Sequence, residues 1–499
     1  MTTAEQGPVD AELRERAAEA VRTRPEGIAT DPWRLAFHVQ PPVGLLNDPN
    51  GLVQHDGTYH LCYQWHPFAT AHALKFWAHL TSTDLVHWTE APIALAPSDP
   101  YDRNGCYSGS AIVHDGAVHF VYTGNVRGDA GQRYPYQNVA VLGADGVVTK
   151  HPANPVISHL PGCTPHQRDP KVWRQDDRYW MVLGAQTDDL HGTALLLTSE
   201  DLLDWQLVGP IAGGADQPLG YMWECPDLLR VDGADVLVIS PQLDHGPDAA
   251  EQFQDVVMYA VGALDLAAGR FTGGDFRRLD AGPDFYAPQS FVDESGRTIL
   301  VAWMGMPDHP TQPPLAVKHP TVATGWVHCL TVPRVVRVDG DEVLQWPVAE
   351  LDALRGEPVH HQVTLGADEG VALDGVDSTA VDLVVAAEAA PGALVHVRLR
   401  EGAAGAVVLT LDPHSGAATL DRSALPRGEG GAWTGSFRPG ARVEARILAD
   451  RSSVEVFVDG GRLALSARIY PDPADTGVSV HASGGSARVT VTAHPMAQA

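Results

Sequence analysis

Three carboxylates occupy matching positions in this 499-residue sequence and could meet in one site. Asp48, Asp169 and Glu224 each lie seven or eight residues before the turn of a predicted β-hairpin. Their surroundings are Leu46-Asn47-Asp48-Pro49-Asn50-Gly51, Arg168-Asp169-Pro170 and Trp223-Glu224-Cys225-Pro226-Asp227. Because equivalent positions of repeated units can converge on one axis, the sequence predicts a pocket lined by three acids.

Such a group of carboxylates has the composition needed for acid and nucleophilic chemistry. Cleavage of a glycosidic bond requires one carboxylic acid that protonates the leaving oxygen and one carboxylate that attacks or activates water. Asp48 and Glu224 meet these requirements by residue type. Crowding like charges would raise the pKa of at least one of the acids, as a general acid requires.

The acids belong to a repeating pattern of hairpins. Alternating apolar runs flank five predicted turns, and successive turns are 59, 61, 56 and 63 residues apart. The turns are Asp56-Gly57, Asp115-Gly116, Asp176-Asp177, Asp232-Gly233 and Ser295-Gly296. A second pattern, S-x-D-L-x-x-W, occurs at Ser82–Trp88 and again at Ser199–Trp205. Five repeats of about sixty residues predict a five-bladed β-propeller over residues 31–349, and a sandwich with coincidental turn spacing is the alternative.

A helix is predicted before the propeller, within an N-terminal segment of residues 1–30. Asp10 is the expected cap, and the helix should run to about Arg24. Its apolar face would consist of Leu13, Ala17, Ala20 and Val21. We expect this helix to pack against a neighbouring surface.

A second β domain is predicted after the propeller, so the fold class is all-β. Short apolar or alternating runs dominate residues 356–499, as in a C-terminal β-sandwich, and Leu351–Arg355 would be the link. The runs are Val381–Ala386, Leu394–Leu399, Val407–Leu411 and Val454–Val458. No comparable cluster of acids with aromatics stands out there, which places the chemistry in the first domain.

Composition excludes several classes of partner. The chain has 34 Lys plus Arg against 62 Asp plus Glu, a net charge of -28, which would repel nucleic acid and anionic membranes. Without an apolar export signal or a run of membrane-spanning length, we expect a soluble, cytoplasmic protein. Five widely spaced cysteines predict free, mostly buried thiols. No metal-ligand spacing or phosphate loop is evident, so we expect no metal and no cofactor. The oligomeric state is not indicated.

Six motifs, in this order, resemble those of glycoside hydrolase family 32, the β-fructofuranosidases. They are Leu46-Asn47-Asp48-Pro49-Asn50-Gly51, Tyr107-Ser108-Gly109-Ser110-Ala111, Arg168-Asp169-Pro170, Glu224-Cys225-Pro226-Asp227, Asp284-Phe285-Tyr286-Ala287-Pro288-Gln289 and Arg451-Ser452-Ser453-Val454-Glu455-Val456-Phe457. The resemblance extends from about Phe37 to Tyr470. It implies a five-bladed propeller followed by a β-sandwich, and retaining cleavage of a terminal β-fructofuranoside through a covalent fructosyl-enzyme.

The resemblance also implies separate roles for the three acids. By motif position, Asp48 is similar to the family's nucleophile and Glu224 to its acid/base. Asp169 matches the transition-state stabiliser, which binds fructose hydroxyls. A retaining enzyme holds its two working carboxyls about 5 to 5.5 Å apart.

Further residues are expected to bind the sugar. Asn47, Gln64 and Ser108 match family positions that hydrogen-bond fructose. Ser108 stands at the equivalent position of the second repeat and Tyr286, less closely, at that of the fifth. These two repeats should therefore contribute binding rather than acid chemistry.

Three other residues have both a functional and a structural interpretation. Trp77 and Trp303 could form apolar walls against the sugar, although aromatic residues of strands more often lie in the core. Arg168 could bond a sugar hydroxyl and keep Asp169 ionised, or it could form a purely structural pair.

The sequence departs from the family motifs at positions expected near the pocket mouth. Where the family usually has Gln-Tyr-Asn-Pro and then Trp-Gly, this chain has Gln64-Trp65-His66-Pro67 and His72-Ala73. A Trp-Gly-His is likewise Trp77-Ala78-His79. The leaving-group preference of ordinary sucrases therefore does not transfer directly.

We expect a β-fructosidase that hydrolyses sucrose or a related small fructoside, short fructans included. Sucrose 6-phosphate is a second candidate, although no clear phosphate clamp is identifiable. A fructosyltransferase using the same acids and an inverting five-bladed arabinan hydrolase are alternatives among enzymes. A carbohydrate-binding protein without turnover is the alternative of a different class.

Overall fold

The computed structural model describes residues 7–243, 256–307 and 312–499 and is all-β, as predicted. It divides into two compact units that each combine several segments. The first unit comprises Met1–Arg24, Pro41–Arg278 and Tyr286–Trp303, and the second comprises Pro25–Gln40, Leu279–Phe285 and Met304–Ala499. The division thus assigns three segments inside residues 31–349 to the second unit.

Helix α1 (Pro8–Arg22) begins two residues before the predicted cap. Gly7 is the N-cap, and Pro8 lies in the first turn, where the proline's missing N–H leaves no hydrogen bond unmade. Asp10 is therefore not the cap. Its buried carboxylate lies inside the first turn and accepts a hydrogen bond from Arg14 Nε at 2.5 Å.

The buried face of α1 is narrower than the sequence predicts. Leu13 and Ala17 are buried, whereas Ala20 and Val21 are only half-buried. The helix ends at Arg22, two residues before the predicted end.

The strands of the first unit form consecutive antiparallel sheets. The first sheet contains β1 (Gly44–His55), β2 (Thr58–His66), β3 (Phe76–Ser82) and β4 (Thr89–Leu95), and the second contains β5 (Cys106–His114), β6 (Ala117–Arg127), β7 (Arg133–Leu142) and β8 (Val148–Lys150). The third contains β9 (Cys163–Gln175), β10 (Arg178–Thr187), β11 (Gly192–Ser199) and β12 (Trp205–Gly213). The fourth contains β13 (Met222–Val231), β14 (Ala234–Gln242), β15 (Met258–Asp265), β16 (Arg270–Gly273) and the short β17 (Arg277–Arg278). A further hairpin pairs β18 (Tyr286–Val292) with β19 (Thr298–Met304).

Two-residue turns join the first two strands of each of the four sheets, as predicted. They are Asp56-Gly57, Asp115-Gly116, Asp176-Asp177 and Asp232-Gly233. All eight residues have φ between 48° and 85°, the left-handed backbone of a type I′ turn that Asp and Gly tolerate well. The fifth connection is longer, because residues 293–297 form a loop in which Arg297 N–H donates to the Asp293 carboxylate at 2.8 Å.

The second sequence pattern also folds alike in both copies. Asp84 and Asp201 each accept hydrogen bonds from the backbone N–H groups two and three residues later, at 2.8 to 3.0 Å. Leu85 and Leu202 both have left-handed backbones, with φ of 64° and 69°. The repeat inferred from sequence is therefore a repeat of structure.

The first strands of the five hairpins contact one another in order, and β18 contacts β1. Buried polar groups make these contacts, and each needs a partner because it is removed from water. Gly109 N–H donates to Asn50 at 3.0 Å, Ser110 Oγ to the Pro170 carbonyl at 2.9 Å, Ser290 N–H to Asp227 at 2.7 Å and Gln289 Nε2 to Asn50 at 3.4 Å, while Lys171 Nζ lies 3.0 Å from Asp227. These bonds link the five first strands to one another.

The second unit contains two six-stranded antiparallel sheets. One has the order β24 (Val359–Leu365), β35 (Ala487–Pro495), β26 (Val381–Ala389), β31 (Arg442–Asp450), β32 (Ser453–Val458) and β33 (Leu463–Arg468). The other has the order β25 (Gly370–Ala372), β34 (Gly477–Ser483), β27 (Leu394–Gly402), β28 (Gly405–Asp412), β29 (Ala417–Asp421) and β30 (Ala432–Ser436). The four predicted apolar runs lie in β26, β27, β28 and β32, and residues of both sheets share one hydrophobic core.

Smaller elements complete the second unit. They are α2 (Leu315–Lys318), β20 (Trp326–Val327), β21 (Cys329–Leu330), β22 (Arg334–Asp339), β23 (Glu342–Pro347) and 3₁₀ helices at Glu26–Ile28, Pro320–Thr324, Ala349–Leu354 and Asp459–Gly461. The predicted link Leu351–Arg355 is mostly the 3₁₀ helix Ala349–Leu354, with Leu351 and Leu354 buried.

Candidate active site

The acids of the first unit lie at a shared irregularity of the first strands. In each of the five hairpins one extra residue interrupts pairing with the second strand, between residues 46 and 49, 106 and 109, 168 and 171, 224 and 227, and 286 and 289. Such a β-bulge re-aims the side chains around it. Asp48, Ser108 and Asp169 lie within their bulges, whereas Glu224 and Tyr286 are the last paired residues before theirs.

Unusual backbone conformations mark the same positions. Asp169, Cys225 and Ala287 have φ of 68°, 44° and 47°, in the left-handed region that non-glycine residues seldom adopt. A proline follows each of them in the sequence. Strained backbone of this kind persists where the surrounding structure over-determines it, and it clusters at functional sites.

The carboxylate of Asp48 accepts hydrogen bonds from three predicted binding residues. Asn47 Nδ2 donates to Oδ1 at 3.0 Å, Gln64 Nε2 donates to Oδ2 at 3.3 Å, and the Ser108 hydroxyl donates to Oδ2. Gln64 Nε2 also lies 2.5 Å from Ser108 Oγ. The structure therefore brings Asn47, Gln64 and Ser108 together around Asp48, where their bonds fix its orientation and favour its ionised form.

Lys75, which no sequence pattern marks as a site residue, orients this network. Its buried Nζ lies 2.7 Å from Asn47 Oδ1. Because an ammonium group can only donate, the Asn47 oxygen must face Lys75, so its Nδ2 faces Asp48 and Gln64. That Nδ2 donates to Gln64 Oε1 at 2.9 Å, which leaves Gln64 Nε2 directed at Ser108. A lysine just before the start of β3 gives no sequence signal of burial, since lysine is normally exposed.

Cys225 connects Asp48 with Asp169. Its backbone N–H donates to Asp169 Oδ2 at 3.0 Å, and its thiol sulfur lies 3.7 Å from Asp48 Oδ2. The N–H of Asp169 in turn donates to Thr123 Oγ1 at 2.8 Å. Cys225, on β13, thus contacts both Asp48 on β1 and Asp169 on β9.

Arg168 connects Asp169 with Glu224. Its Nε and Nη2 lie 3.1 Å and 2.9 Å from Glu224 Oε1, whereas its Nε lies 3.9 Å from Asp169 Oδ2. Tyr286 donates its hydroxyl to the other Glu224 oxygen, Oε2, at 2.9 Å. Arg168, Glu224 and Tyr286 are the last paired residues before three successive bulges, and they contact one another in that order.

Burial changes the protonation of this group more than crowding does. Burial raises the pKa of Asp48, and the charge of Glu224 acts in the same direction. Hydrogen bonds from Ser108 and Asn47 oppose this rise. Burial also raises the pKa of Asp169 to about 7, against the charge of Arg168. The predicted rise is present, but its larger cause is desolvation rather than crowding.

The two tryptophans lie in different surroundings, and both are buried. Trp77 belongs to a hydrophobic cluster with Phe120 and donates its indole N–H to the Tyr107 carbonyl at 3.1 Å. This placement fits the core interpretation of Trp77. Between ring centroids, Trp303 lies 5.6 Å from His72 and 6.2 Å from Tyr286. It therefore borders Tyr286, the hydrogen-bond partner of Glu224, and His72, a position at which the sequence differs from the family motif.

All five cysteines are free and buried, as predicted. Across residues 7–243, 256–307 and 312–499, no group of three or more His, Cys, Asp or Glu side chains is arranged to hold a metal ion. Within the same residues, no helix is both long enough and apolar enough to cross a membrane.

The second unit contains a buried acid cluster that the sequence analysis did not identify. Asp450 and Glu455 lie 2.8 Å and 2.9 Å from the two ring nitrogens of His38. Arg334 lies against Glu455 at 2.5 Å and against Asp280 at 3.0 Å. All of these side chains are fully buried. The acids are far apart in sequence from His38 and Arg334, so no local pattern could have joined them.

Family models match almost the whole chain. The model described as Glycosyl hydrolases family 32 N-terminal domain matches residues 38–347, and that described as Glycosyl hydrolases family 32 C terminal matches residues 350–495. The sequence is 40% identical over 496 residues to a sucrose-6-phosphate hydrolase of Bacillus subtilis, covering 96% of this chain and 97% of that one. It is also 40% identical to a sucrose-6-phosphate hydrolase of Klebsiella pneumoniae, covering 90% and 91%.

Solved structures agree with the sequence matches. The sucrose-6-phosphate hydrolase of Lactobacillus gasseri superposes with a TM-score of 0.86 at 28% identity, covering 97% of this chain and 99% of that one. A variant of the Bombyx mori GH32 beta-fructofuranosidase in complex with sucrose gives a TM-score of 0.82 at 27% identity, covering 99% of both chains. This chain belongs to glycosyl hydrolase family 32.

Proposed function

We propose that this protein is a retaining β-fructofuranosidase that hydrolyses sucrose and sucrose 6-phosphate through a covalent fructosyl-enzyme. The observation that carries the proposal is the linkage of Asp48, Asp169 and Glu224 through Cys225 and Arg168. Two of these carboxyls have a raised pKa, as expected of a site kept for chemistry rather than for stability.

Asp48 is the proposed nucleophile. Its carboxylate is oriented by the bonds from Asn47, Gln64 and Ser108, so one oxygen can be presented to the anomeric carbon of the fructosyl group. Attack forms a bond between that carbon and a carboxylate oxygen while the bond to the leaving oxygen breaks. Fixing the carboxylate beforehand lowers the entropy lost on reaching the reactive geometry.

Glu224 is the proposed acid/base. It protonates the leaving oxygen in the first step and removes a proton from water in the second, when water releases fructose from Asp48. Arg168 bonds its Oε1 and Tyr286 bonds its Oε2, so the carboxyl group cannot rotate freely. Asp169, whose Oδ2 accepts the Cys225 N–H, is the proposed stabiliser that binds fructose hydroxyls as charge develops on the ring.

The five first strands support a five-bladed β-propeller followed by a β-sandwich as the finer description of the fold. Their five bulges are equivalent, their contacts run in order from β1 to β18, and β18 contacts β1. A propeller brings equivalent strand positions together at its centre, which accounts for contacts between residues up to 239 positions apart, as in the pair Asn50 and Gln289.

The substrate follows from the relatives rather than from the acids alone. Relatives of Bacillus subtilis and Klebsiella pneumoniae are named as sucrose-6-phosphate hydrolases, and the Bombyx mori enzyme is seen with sucrose. A product assay with sucrose, sucrose 6-phosphate, inulin and levan tests the proposal. We expect fructose from the first two, with little from the polymers, and no hydrolysis of either disaccharide would refute it.

The stereochemistry of the product tests the mechanism. Nuclear magnetic resonance during the first turnovers should show β-fructofuranose before it equilibrates with other forms, since two displacements retain configuration. The α anomer as first product would indicate an inverting enzyme. At high sucrose, free fructose and glucose in equal amounts would distinguish hydrolysis from fructosyl transfer to sugar.

A further inference from the structure

A group of basic side chains extends from Glu224 in this otherwise acidic chain. Arg127 ends β6, Arg133 begins β7, and His166 and Arg168 lie on β9. Arg168 is engaged by Glu224, but the charges of the other two arginines are not used by the chemistry proposed above. Four basic side chains in one place call for an explanation when the chain as a whole has a net charge of -28.

Strand pairing places the two peripheral arginines together. Arg127 and Arg133 are direct partners at the end of the antiparallel pair β6–β7, so their side chains leave the sheet on the same face. Gln137 shares that face with Arg133, being four residues further along β7, and its Nε2 donates to the Gln167 carbonyl on β9 at 3.4 Å. The face carrying Arg133 is thus the one that adjoins β9, next to His166.

His166 supplies a neutral donor to the same place. Arg168 Nη1 lies 3.4 Å from His166 Nδ1, and since a guanidinium can only donate, Nδ1 accepts and Nε2 carries the proton. Burial and the charges of Arg168 and Arg133 lower the pKa of His166 to about 3, which keeps the ring neutral. The Nε2–H group is therefore available to an acceptor.

Arg133 lacks the partner that Arg168 has. In the described part of the chain no carboxylate lies within ion-pair distance of the Arg133 guanidinium, and its buried Nε makes no hydrogen bond. Burial and the charges of Arg168 and Arg127 lower the pKa of Arg133 to about 10. Like charges held together at this cost are expected where an anion binds.

The position of the group relative to the acids indicates which part of a substrate it would meet. Arg168 contacts Glu224 through Nε and Nη2 and His166 through Nη1, so Arg168 connects the basic group to Glu224. Asp48 and Asp169 are linked to each other through Cys225 and not through the basic group. Glu224 is the proposed proton donor to the leaving oxygen. The part of a substrate that lies beside the basic side chains would therefore be the leaving sugar.

We propose that Arg133, Arg127 and His166 form a phosphate-binding subsite for the glucose 6-phosphate part of sucrose 6-phosphate. This inference rests on the proposed function, because it assigns the leaving group of that reaction. A phosphate would receive charge-assisted bonds from the guanidinium groups and a bond from the His166 ring. The residues come from two sheets, which is why no contiguous phosphate motif is visible in the sequence.

Paired kinetics with two substrates test the subsite. For Arg133→Met we expect the ratio of kcat/KM for sucrose 6-phosphate to that for sucrose to fall by about 10- to 100-fold, the effect of losing a bond to a charged group. Arg127→Met, which removes an exposed arginine, should lower the ratio less. Arg174→Met is the matched control, because Arg174 is an exposed arginine on β9, the strand that carries His166, and pairs with Asp177. An unchanged ratio in Arg133→Met, or an equal fall in the control, would overturn the assignment.

Binding of inorganic phosphate gives a readout that needs no turnover. Calorimetry at low salt should show phosphate binding to the wild-type protein and to Asp48→Asn, and its loss in Arg133→Met. If the wild-type protein hydrolysed neither disaccharide but bound phosphate, and Arg133→Met did not bind it, the proposed function would be refuted and an anion site would remain at these residues. Hydrolysis of both sugars, with phosphate binding unaffected by Arg133→Met, would refute the subsite alone.

Discussion

Each unit of this protein buries a group of carboxylates, and the two groups are compensated to different extents by cationic side chains. In the second unit, His38 and Arg334 contact Glu455, and His38 also contacts Asp450. In the first unit, neutral side chains surround Asp48, and Arg168 directs two of its nitrogens to Glu224.

The directions of the pKa shifts express this difference. Against the effect of burial, bonds to His38 and Arg334 lower the pKa values of Asp450 and Glu455. Burial outweighs the compensating bonds in the first unit and raises the pKa values of Asp48 and Asp169. Fully paired buried acids hold a structure together, while incompletely paired ones are available for proton transfer and bond formation.

The largest effect that separates the two groups should come from Asp48→Asn. We expect kcat on sucrose to fall by about 10⁴-fold or more, since the amide cannot form the covalent intermediate. The free energy of unfolding should stay the same or rise, because a buried carboxyl with a raised pKa is removed. Steady-state assays and urea titration measure the two quantities. Substantial residual activity would contradict the role of Asp48.

The reverse pattern is expected for Glu455→Gln in the second unit. Removing the Glu455 charge leaves Arg334 with Asp280 and His38 with Asp450 as their remaining carboxylate partners. Because the network is buried, this loss should cost about 3 to 5 kcal/mol of unfolding free energy. The activity per folded molecule should change little. A variant that folds as stably as the wild type but has lost turnover would show that the two groups do not have separate roles.

Lys75→Met should give a smaller effect and one confined to catalysis. Without the ammonium group Asn47 can rotate, the bonds to Asp48 lose their fixed direction, and kcat/KM should fall by about 10- to 100-fold. The matched control is Lys318→Met, since Lys318 is a buried lysine of the second unit whose Nζ bonds Gln312 at 3.0 Å. Equal losses in both variants would attribute the effect to general destabilisation.

The smallest predicted effects are two pH dependences of stability that lie in different windows. The pKa of Asp169 is raised from 3.8 to about 7. Its contribution to the free energy of unfolding is therefore full below pH 3.8 and lost as the pH rises through 7. Bonds to Asp450 and Glu455 outweigh burial and raise the pKa of His38 from 6.5 to about 9, so its contribution is full below 6.5 and lost as the pH rises through 9.

Two variants read these windows separately. Relative to the wild type, Asp169→Asn should gain stability as the pH rises from about 4 to 7 and change little above. His38→Gln should be least stable relative to the wild type below about 6.5 and should approach it towards pH 9. Urea titrations at a series of pH values measure both. Identical pH profiles for the two variants would contradict the assignment of the shifts.

Local sequence patterns predicted the hairpins on which the three candidate acids lie, because a tight turn depends on few neighbouring residues. Asp-Gly turns favour left-handed backbone, and the four two-residue turns lie where they were predicted. The acids were found because each precedes such a turn by a similar distance. The bulges were not predicted, since a register shift depends on the partner strand.

Contacts between distant segments account for what the sequence did not show. Burial of Lys75 beside Asn47, and pairing of His38 with Asp450 and Glu455, require the folded chain. Asp10 was misread as a cap because Pro8 can start the helix earlier. Arg168 was expected beside Asp169, whereas the bulge directs it mainly to Glu224.

Trapping the covalent intermediate tests the central claim most directly. In Glu224→Gln, β-fructofuranosyl fluoride can still react, because fluoride leaves without protonation, whereas the second step lacks its base. Mass spectrometry of the digested protein should find one fructosyl group on the peptide that contains Asp48, and none in a variant that also carries Asp48→Ala. Consumption of the fluoride with no adduct, or an adduct on a peptide that contains another carboxylate, would contradict the account.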